Sequence, residues 1–261
     1  MVFDLNKMKV NYKVNSLNKK VFEYDGKEYY YKQLGELRTY YELIAHKIAE
    51  RLALPSAPCY LTNDNKYIGI SSESIDTTNY ITMSDFLYTV YRTDSDKLNN
   101  LEDIWYAFSK KFDERTTAKL MDELVNIFLF DVLIGNGDRH NQNYGLIIEK
   151  DKVKFAPLFD HDWMLYDDAI YEGEYHLSVS QEDKENSVYK FLNESDSSYT
   201  ARLQAMLPVI SDESLEEIFH ELKTEGVEIP ENIKTTILKK FAYNREMIAM
   251  SMPEKIINHS K

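Results

Sequence analysis

Cysteine is all but missing from this chain, with Cys59 the only one. An intramolecular disulfide is therefore impossible, metal clusters built on paired cysteines are excluded, and the usage fits a reducing, cytoplasmic setting. Glycine is scarce too. An average chain carries roughly 7%, whereas this one has 8 glycines in 261 residues. That rules out a collagen-like repeat or a Gly-rich flexible chain. Positive charge is also short: Lys+Arg 31 against Asp+Glu 44 leaves a net charge of −13. Phosphate contacts need clustered Lys and Arg, so direct nucleic-acid binding is disfavoured, though a local basic groove is not. Long apolar runs are absent; the longest are short pieces such as residues 127–130. No membrane span is expected. The opening MVFDLNKMKVNYKV has no uninterrupted apolar stretch, so no signal peptide is expected either.

What is present points to a folded chain. Hydrophobic residues make up 43% and aromatics 13%, enough to bury a core. Residues 21–33 read as a β-hairpin, because Asp25-Gly26 is a two-residue turn signal between aromatic and β-branched flanks. Residues 39–54 read as a helix, with Tyr41, Ala45, Ile48 and Leu52 at helical spacing and Pro55 and Pro58 stopping it. Residues 59–75 suggest two strands about the polar turn Asn63-Asp64-Asn65. From about residue 80 the pattern turns helical, over 82–91, 100–112 and, most strongly, 116–134. Two short strands follow, Leu146–Glu149 and Lys152–Ala156, then an acidic stretch to about 186 and a mostly helical remainder. Strands first and helices after imply an α+β fold with two lobes. The division runs as a β-rich lobe over 1–77 with one helix, and a larger helical lobe over 78–261.

The chemistry concentrates in 135–160. Gly135-Asn136-Gly137-Asp138-Arg139-His140 breaks in directly after a helix that is apolar nearly all round, so it is a sharply placed loop. Asn143 follows Asp138 by five residues, and the hairpin then leads to Phe159-Asp160-His161-Asp162. Hard cations such as Mg²⁺ take oxygen ligands and accept one or two protein groups alongside substrate phosphates. Asn143 and Asp160 could supply those oxygens, leaving Asp138 free to orient a hydroxyl nucleophile. That division of labour is the one used in phosphoryl transfer. Asp131, a carboxylate inside the apolar helix, must be paired, and Arg139 is the partner expected for it. Asp162, two residues after Asp160, could be a group that supports the metal ligand from behind, but it reads more readily as a solvated loop acid.

GNGDRHNQN resembles the DRHxxN loop of phosphatidylinositol 3- and 4-kinases and the related loop of HipA-like serine/threonine kinases. The continuation YGLIIEKDKVKFAPLFDHD resembles the HipA-like group more, and the resemblance runs over roughly 12–165. It implies a two-lobed protein kinase-like fold using ATP and Mg²⁺. Asp138 would be the catalytic residue; His140 would either touch phosphate or pack beneath the loop; Asn143 and Asp160 would hold the metal. In EYYYKQL…YELIAHKIAERLALP, Lys32 would hold the α- and β-phosphates and Glu42 would hold Lys32, with Glu36 as the runner-up partner. Residues 15–20, NSLNKK, stand where relatives carry a glycine-bearing phosphate loop, which makes Ser16, Asn18 and Lys20 nucleotide-binding candidates. Ser16 is also the matching site for autophosphorylation. Glu73, Ser74 and Ile75 would meet adenine. The resemblance implies transfer to a protein hydroxyl and a regulatory partner protein, as in toxin–antitoxin pairs. Two alternatives stay open: a lipid kinase, suggested by DRHxxN, and a nucleotide-binding pseudokinase, suggested by the glycine-free phosphate loop.

Overall fold

The computed structural model describes residues 1–8, 10–11, 19–65, 67–74, 78–93, 98, 101–137, 139–150, 152–165 and 197–251. Its first half is a six-stranded sheet in the order β1-β5-β6-β4-β3-β2. The strands are β1 (Val2–Asp4), β2 (Val10–Asn11), β3 (Lys19–Tyr24), β4 (Lys27–Gln33), β5 (Cys59–Asp64) and β6 (Tyr67–Glu73). β3 and β4 form the expected hairpin. Both turn residues take the left-handed conformation, Asp25 at φ 50° and Gly26 at φ 73°, which is the turn geometry that matches strand twist. β1 runs parallel to β5, and the other pairings are antiparallel.

The sheet is apolar on both faces. One face carries Phe3, Phe22, Tyr29 and Tyr31, with Phe3 edge-on to Phe22 and Tyr29 at 5.2 and 5.0 Å and Phe22 stacked on Tyr29 at 5.4 Å. The other face, with Cys59, Leu61 and Ile70, takes the helix α1 (Glu36–Arg51). α1 buries Tyr41, Ile44, Ala45 and Ile48 fully in the core it shares with that face, and each large apolar side chain so buried contributes roughly 1.5–3 kcal/mol. The helix begins at Glu36, earlier than the apolar spacing over 39–54 suggests. The extra turn moves Glu42 from the helix start into its buried middle.

The second half is built on α4 (Glu114–Ile134). Its N-terminus is capped by Asp113, whose carboxylate accepts from Thr116 N at 2.7 Å. Its C-terminus closes at Gly135 in the left-handed conformation, φ 61°. Around it lie α2 (Met83–Tyr91), α3 (Leu101–Lys111), α5 (Ser197–Met206), α6 (Asp212–Thr224) and α7 (Glu231–Ser251). Asn244 on α7 donates to the carbonyls of Val132 and Leu133 at 3.1 and 2.9 Å, adding a side-chain donor to the last turn of α4. A small sheet of β7 (Tyr80–Thr82), β8 (Gly145–Glu149) and β9 (Lys152–Phe155) carries the segment leading to Asp160. β7 is a correction to the reading of residue 80 onward as helical. Three residues give no periodicity to read, and β8 supplies the pairing.

α1 is fastened to the second half by its basic side. Lys47 pairs with Glu225 at 2.6 Å, Arg51 pairs with Glu221 at 2.5 Å, and Arg51 also donates to Ser214 O at 2.6 Å. One hydrophobic core runs through both halves, joining α1 and β6 to α4, α6 and α7. Among the described residues no helix is long and apolar enough to cross a membrane.

Candidate nucleotide and phosphoryl-transfer site

The site forms where the end of α4, the hairpin β8–β9 and the strand β4 converge. Asp131, in the last turn of α4, is 1% exposed and needs partners. Asn136 Nδ2 donates to its Oδ1 at 2.9 Å. Arg139 grips both of its oxygens, Nε to Oδ2 and Nη2 to Oδ1, each at 2.9 Å. The same guanidinium donates through Nη1 to the carbonyls of Asn143 and Phe159, both at 2.9 Å. Its Nη2 also contacts His161 Nδ1 at 2.9 Å. Arginine only donates, so Nδ1 accepts and the His161 ring is neutral with its proton on Nε2. Burial, reinforced by the Arg139 charge, holds the His161 pKa well below the usual imidazole value. One buried guanidinium thus ties the helix end, the loop and the segment before Asp160 into one body.

Beyond β9 the chain is pinned to the first half. Leu158 N donates to Pro55 O and Ala57 N to Leu158 O, each at 2.8 Å. Asp160 follows in the left-handed conformation at φ 62°, which Asp tolerates better than most residues. This turn delivers its carboxylate to Lys32, whose Nζ lies 2.5 Å from Asp160 Oδ1. Asp162 Oδ2 lies 3.3 Å from the same ammonium and is also held by Arg38 from α1. Asp162 is fully buried, which corrects its reading as a solvated loop acid: Lys32 and Arg38 supply the cations that burial of a carboxylate requires.

The charges shift each other's ionisation. Burial works against the charged form of Lys32, but Asp160 and Asp162 outweigh it and raise its pKa. Burial likewise opposes Asp160, and Lys32 overrides it, so Asp160 stays ionised below the usual carboxylate range. Asp162 is pushed up, by burial first and by the Asp160 charge. Glu42, 3% exposed, is pushed up to about 8, by burial first and then by Asp160 and Asp162.

The expected site residues fare unequally. Lys32 and Asp160 are brought into contact. Glu42 lies beside them, yet its carboxylate accepts from His161 N, and the ion pairs of Lys32 run to Asp160 and Asp162. Glu36 is exposed at the start of α1. Asn143 is buried, with its N–H bonded to His140 O at 2.8 Å. His140 is exposed, and its Nδ1 accepts from Gln142 N at 3.3 Å. Lys20 lies opposite Tyr31 in the β3–β4 ladder and so projects from the sheet face away from Lys32. There it pairs with Asp64 and sits over the Tyr31 ring. Glu73 closes β6 and pairs with Lys27 at 2.9 Å, and Ser74 N donates to Glu28 O at 2.8 Å. Asp138, Ser16, Asn18, Ile75 and the acidic stretch 166–186 lie outside the described residues. Arg38 was not anticipated. The available signal was its position four residues before Glu42, on the same face of α1.

The donor set suits a hard cation. Asp160 keeps its charge against burial, Asn143 lies in the same loop system with an amide oxygen to offer, and oxygen donors are what Mg²⁺ takes. Among the described residues no group of three His, Cys, Asp or Glu is gathered for a metal. A cation here would accordingly lean on one or two protein oxygens and on ligand phosphates.

A family model described as HipA-like C-terminal domain matches residues 7–228. The chain belongs to this family. Among solved structures, the HipA-like chain is similar to the Helicobacter pylori proinflammatory kinase CtkA, with TM-score 0.70 and 20% identity over 96% of this chain and 97% of that one. At that identity the likeness carries the fold, which is the two-lobed fold of a kinase. HipA of Shewanella oneidensis MR-1, solved with HipB and operator DNA, matches at TM-score 0.43 and 14% identity, over 92% of this chain and 59% of that one. No curated protein matches the sequence significantly.

Proposed function

We propose that this HipA-like chain is an ATP-dependent protein kinase that transfers the γ-phosphoryl group to a serine or threonine hydroxyl. The observation that carries the reading is the contact between Lys32 and Asp160, 128 residues apart in sequence. It brings a strand lysine suited to phosphate oxygens together with an ionised acid suited to a metal, beside a loop that Arg139 makes rigid. Lys32 takes the α- and β-phosphates, and Asn143 and Asp160 are the residues that would hold Mg²⁺. A bound magnesium ion neutralises charge on the β- and γ-phosphates. Asp138, between Gly137 and Arg139 in sequence, orients the acceptor hydroxyl and takes its proton late in transfer. Little covalent chemistry is asked of the protein, since positioning and charge neutralisation supply most of the acceleration in phosphoryl transfer.

The test is an intact mass spectrum of the chain after incubation with Mg-ATP alone, followed by phosphopeptide mapping. The expected result is added phosphate, with Ser16 as the first site to inspect, and transfer to an added protein substrate. Asp138→Asn and Asp160→Asn should each abolish transfer. Undiminished transfer in both variants refutes this assignment. Transfer to phosphoinositide vesicles in preference to protein would identify a lipid kinase. An ATP-dependent melting shift without transfer would identify a nucleotide-binding regulator.

A further inference from the structure

Lys32 is steered from a direction that the family resemblance does not assign. Its ammonium lies 2.5 Å from Asp160 Oδ1 and 3.3 Å from Asp162 Oδ2. The same Asp162 oxygen is gripped by Arg38 Nη2, and Arg38 Nε reaches the Asp162 carbonyl at 3.4 Å. The guanidinium also lies over the Trp163 ring, 4.7 Å from its centroid. Arg38 is thereby held to three features of one short segment: a carboxylate, a backbone oxygen and an indole face. The Asp162 side chain is 1% exposed, so water does not screen it and the two cations must satisfy it. Glu42, one turn further along α1, is engaged by His161 N. α1 therefore reaches the strand lysine through Arg38 and Asp162.

We propose that Arg38 and Asp162 are the positioning pair for Lys32, doing for this chain what a helix glutamate does in kinases generally. This rests on the proposed function, which takes Lys32 to be the phosphate holder. An ammonium has three donors. When Asp160 turns to a metal–nucleotide complex, Lys32 loses its nearer anchor and keeps Asp162. Asp162 can serve only if its own carboxylate is fixed, and Arg38 fixes it at both side chain and carbonyl. The ammonium then keeps its direction and has a donor to spare for phosphate oxygens. Without Arg38, Asp162 is free to rotate and Lys32 loses its aim, although neither Arg38 nor Asp162 touches the nucleotide.

The test uses the full chain with Arg38→Met, Arg38→Lys, Asp162→Asn and the Arg38→Met/Asp162→Asn double variant. Each is assayed for transfer across Mg-ATP concentrations and for Mg-ATP affinity by calorimetry. Loss of the pair should raise KM and Kd for Mg-ATP about tenfold, the scale of one hydrogen bond to a charged group. The kcat should change less than about threefold, because binding and not the chemical step is weakened. Arg38→Lys, which keeps the charge but not the fork, should fall between wild type and Arg38→Met. It carries the test if Arg38→Met melts below the assay temperature. The double variant should be no worse than the worse single variant, since both act through one contact. Unchanged Mg-ATP affinity in Arg38→Met and Asp162→Asn, or effects that multiply in the double variant, overturns the positioning role and leaves the kinase reading standing. Wild type that binds Mg-ATP without transferring it overturns the kinase reading, while the calorimetric comparison still decides the positioning role. Wild type that binds no Mg-ATP overturns both.

Discussion

Replacing Arg139 with methionine should be the most damaging single change in the site, and its size can be worked from the contacts. The Arg139 and Asp131 side chains are 3% and 0% exposed. Removing one partner of such a buried pair costs about 3–5 kcal/mol, because the other charge is left uncompensated. Arg139→Met also strips the donor from the carbonyls of Asn143 and Phe159 and from His161 Nδ1. Each buried acceptor left bare costs roughly 1–3 kcal/mol, less where water enters. Taking the low end of each contribution still gives a loss of about 6 kcal/mol. At roughly 2–4 °C per kcal/mol for a chain of this size class, the melting midpoint should fall by at least about 10 °C. The double variant Asp131→Leu/Arg139→Met removes the stranded charge while leaving the other acceptors bare, so it should recover part of the loss. Differential scanning calorimetry on wild type, Arg139→Met, Asp131→Leu and the double variant measures this. A single variant melting within about 2 °C of wild type would refute the account of Arg139 as the tie of the loop, as would a double variant at the full additive loss.

Two further outcomes follow from the same geometry. Glu42 has its pKa raised from 4.5 to about 8 in the folded chain. Between those values the folded state keeps a proton that the unfolded state releases, so stability from this group is present below about 4.5 and is lost as pH rises towards about 8. Glu42→Gln removes that titration and keeps an acceptor for His161 N. Its gain over wild type should grow from near zero at pH 5 to the order of a few kcal/mol at pH 8 in urea melts, and parallel stability–pH profiles would contradict this. Gly69 on β6 sits against β4, where an added Cβ would meet Lys32 O at 2.2 Å and Tyr31 Cε2 at 2.7 Å. Gly69→Ala should destabilise by about 1–3 kcal/mol and weaken any ATP-dependent melting shift by displacing the Lys32 strand. An unchanged midpoint would show that the strand yields freely.

The elements that sequence makes readable are those with enough length to show a period or a turn. The β3–β4 hairpin is announced by Asp25-Gly26, and α4 by an apolar face long enough to count. β1 and β7 have three residues each, which is too few for alternation to register, and both exist because a longer strand, β5 or β8, offers its edge. The pairing of Asp131 with Arg139 could be inferred because a carboxylate in an apolar helix demands a cation and one lies eight residues away. Asp162 could not be read this way. Its burial depends on Arg38 and Lys32, 124 and more residues earlier, and nothing in HDW signals them. Lys20 shows the opposite limit. Its neighbours in sequence suggested a phosphate loop, but strand alternation turns it to the far sheet face, where Asp64 waits.

The fastening of α1 to α6 bears on how the chain is made. Lys47 and its partner Glu225 are 178 residues apart, and Arg51 waits almost as long for Glu221. At about 5–20 residues per second of synthesis, α1 emerges roughly 10–35 s before those acids exist. During that interval its sheet-facing side can dock, but its basic side and the core it shares with α6 stay uncovered. Completion is thus deferred until α6 has been made, and long-range contacts of this kind slow folding further. A nascent chain arrested before α6 would expose apolar surface that the finished protein hides, making it a natural client for chaperones and proteases.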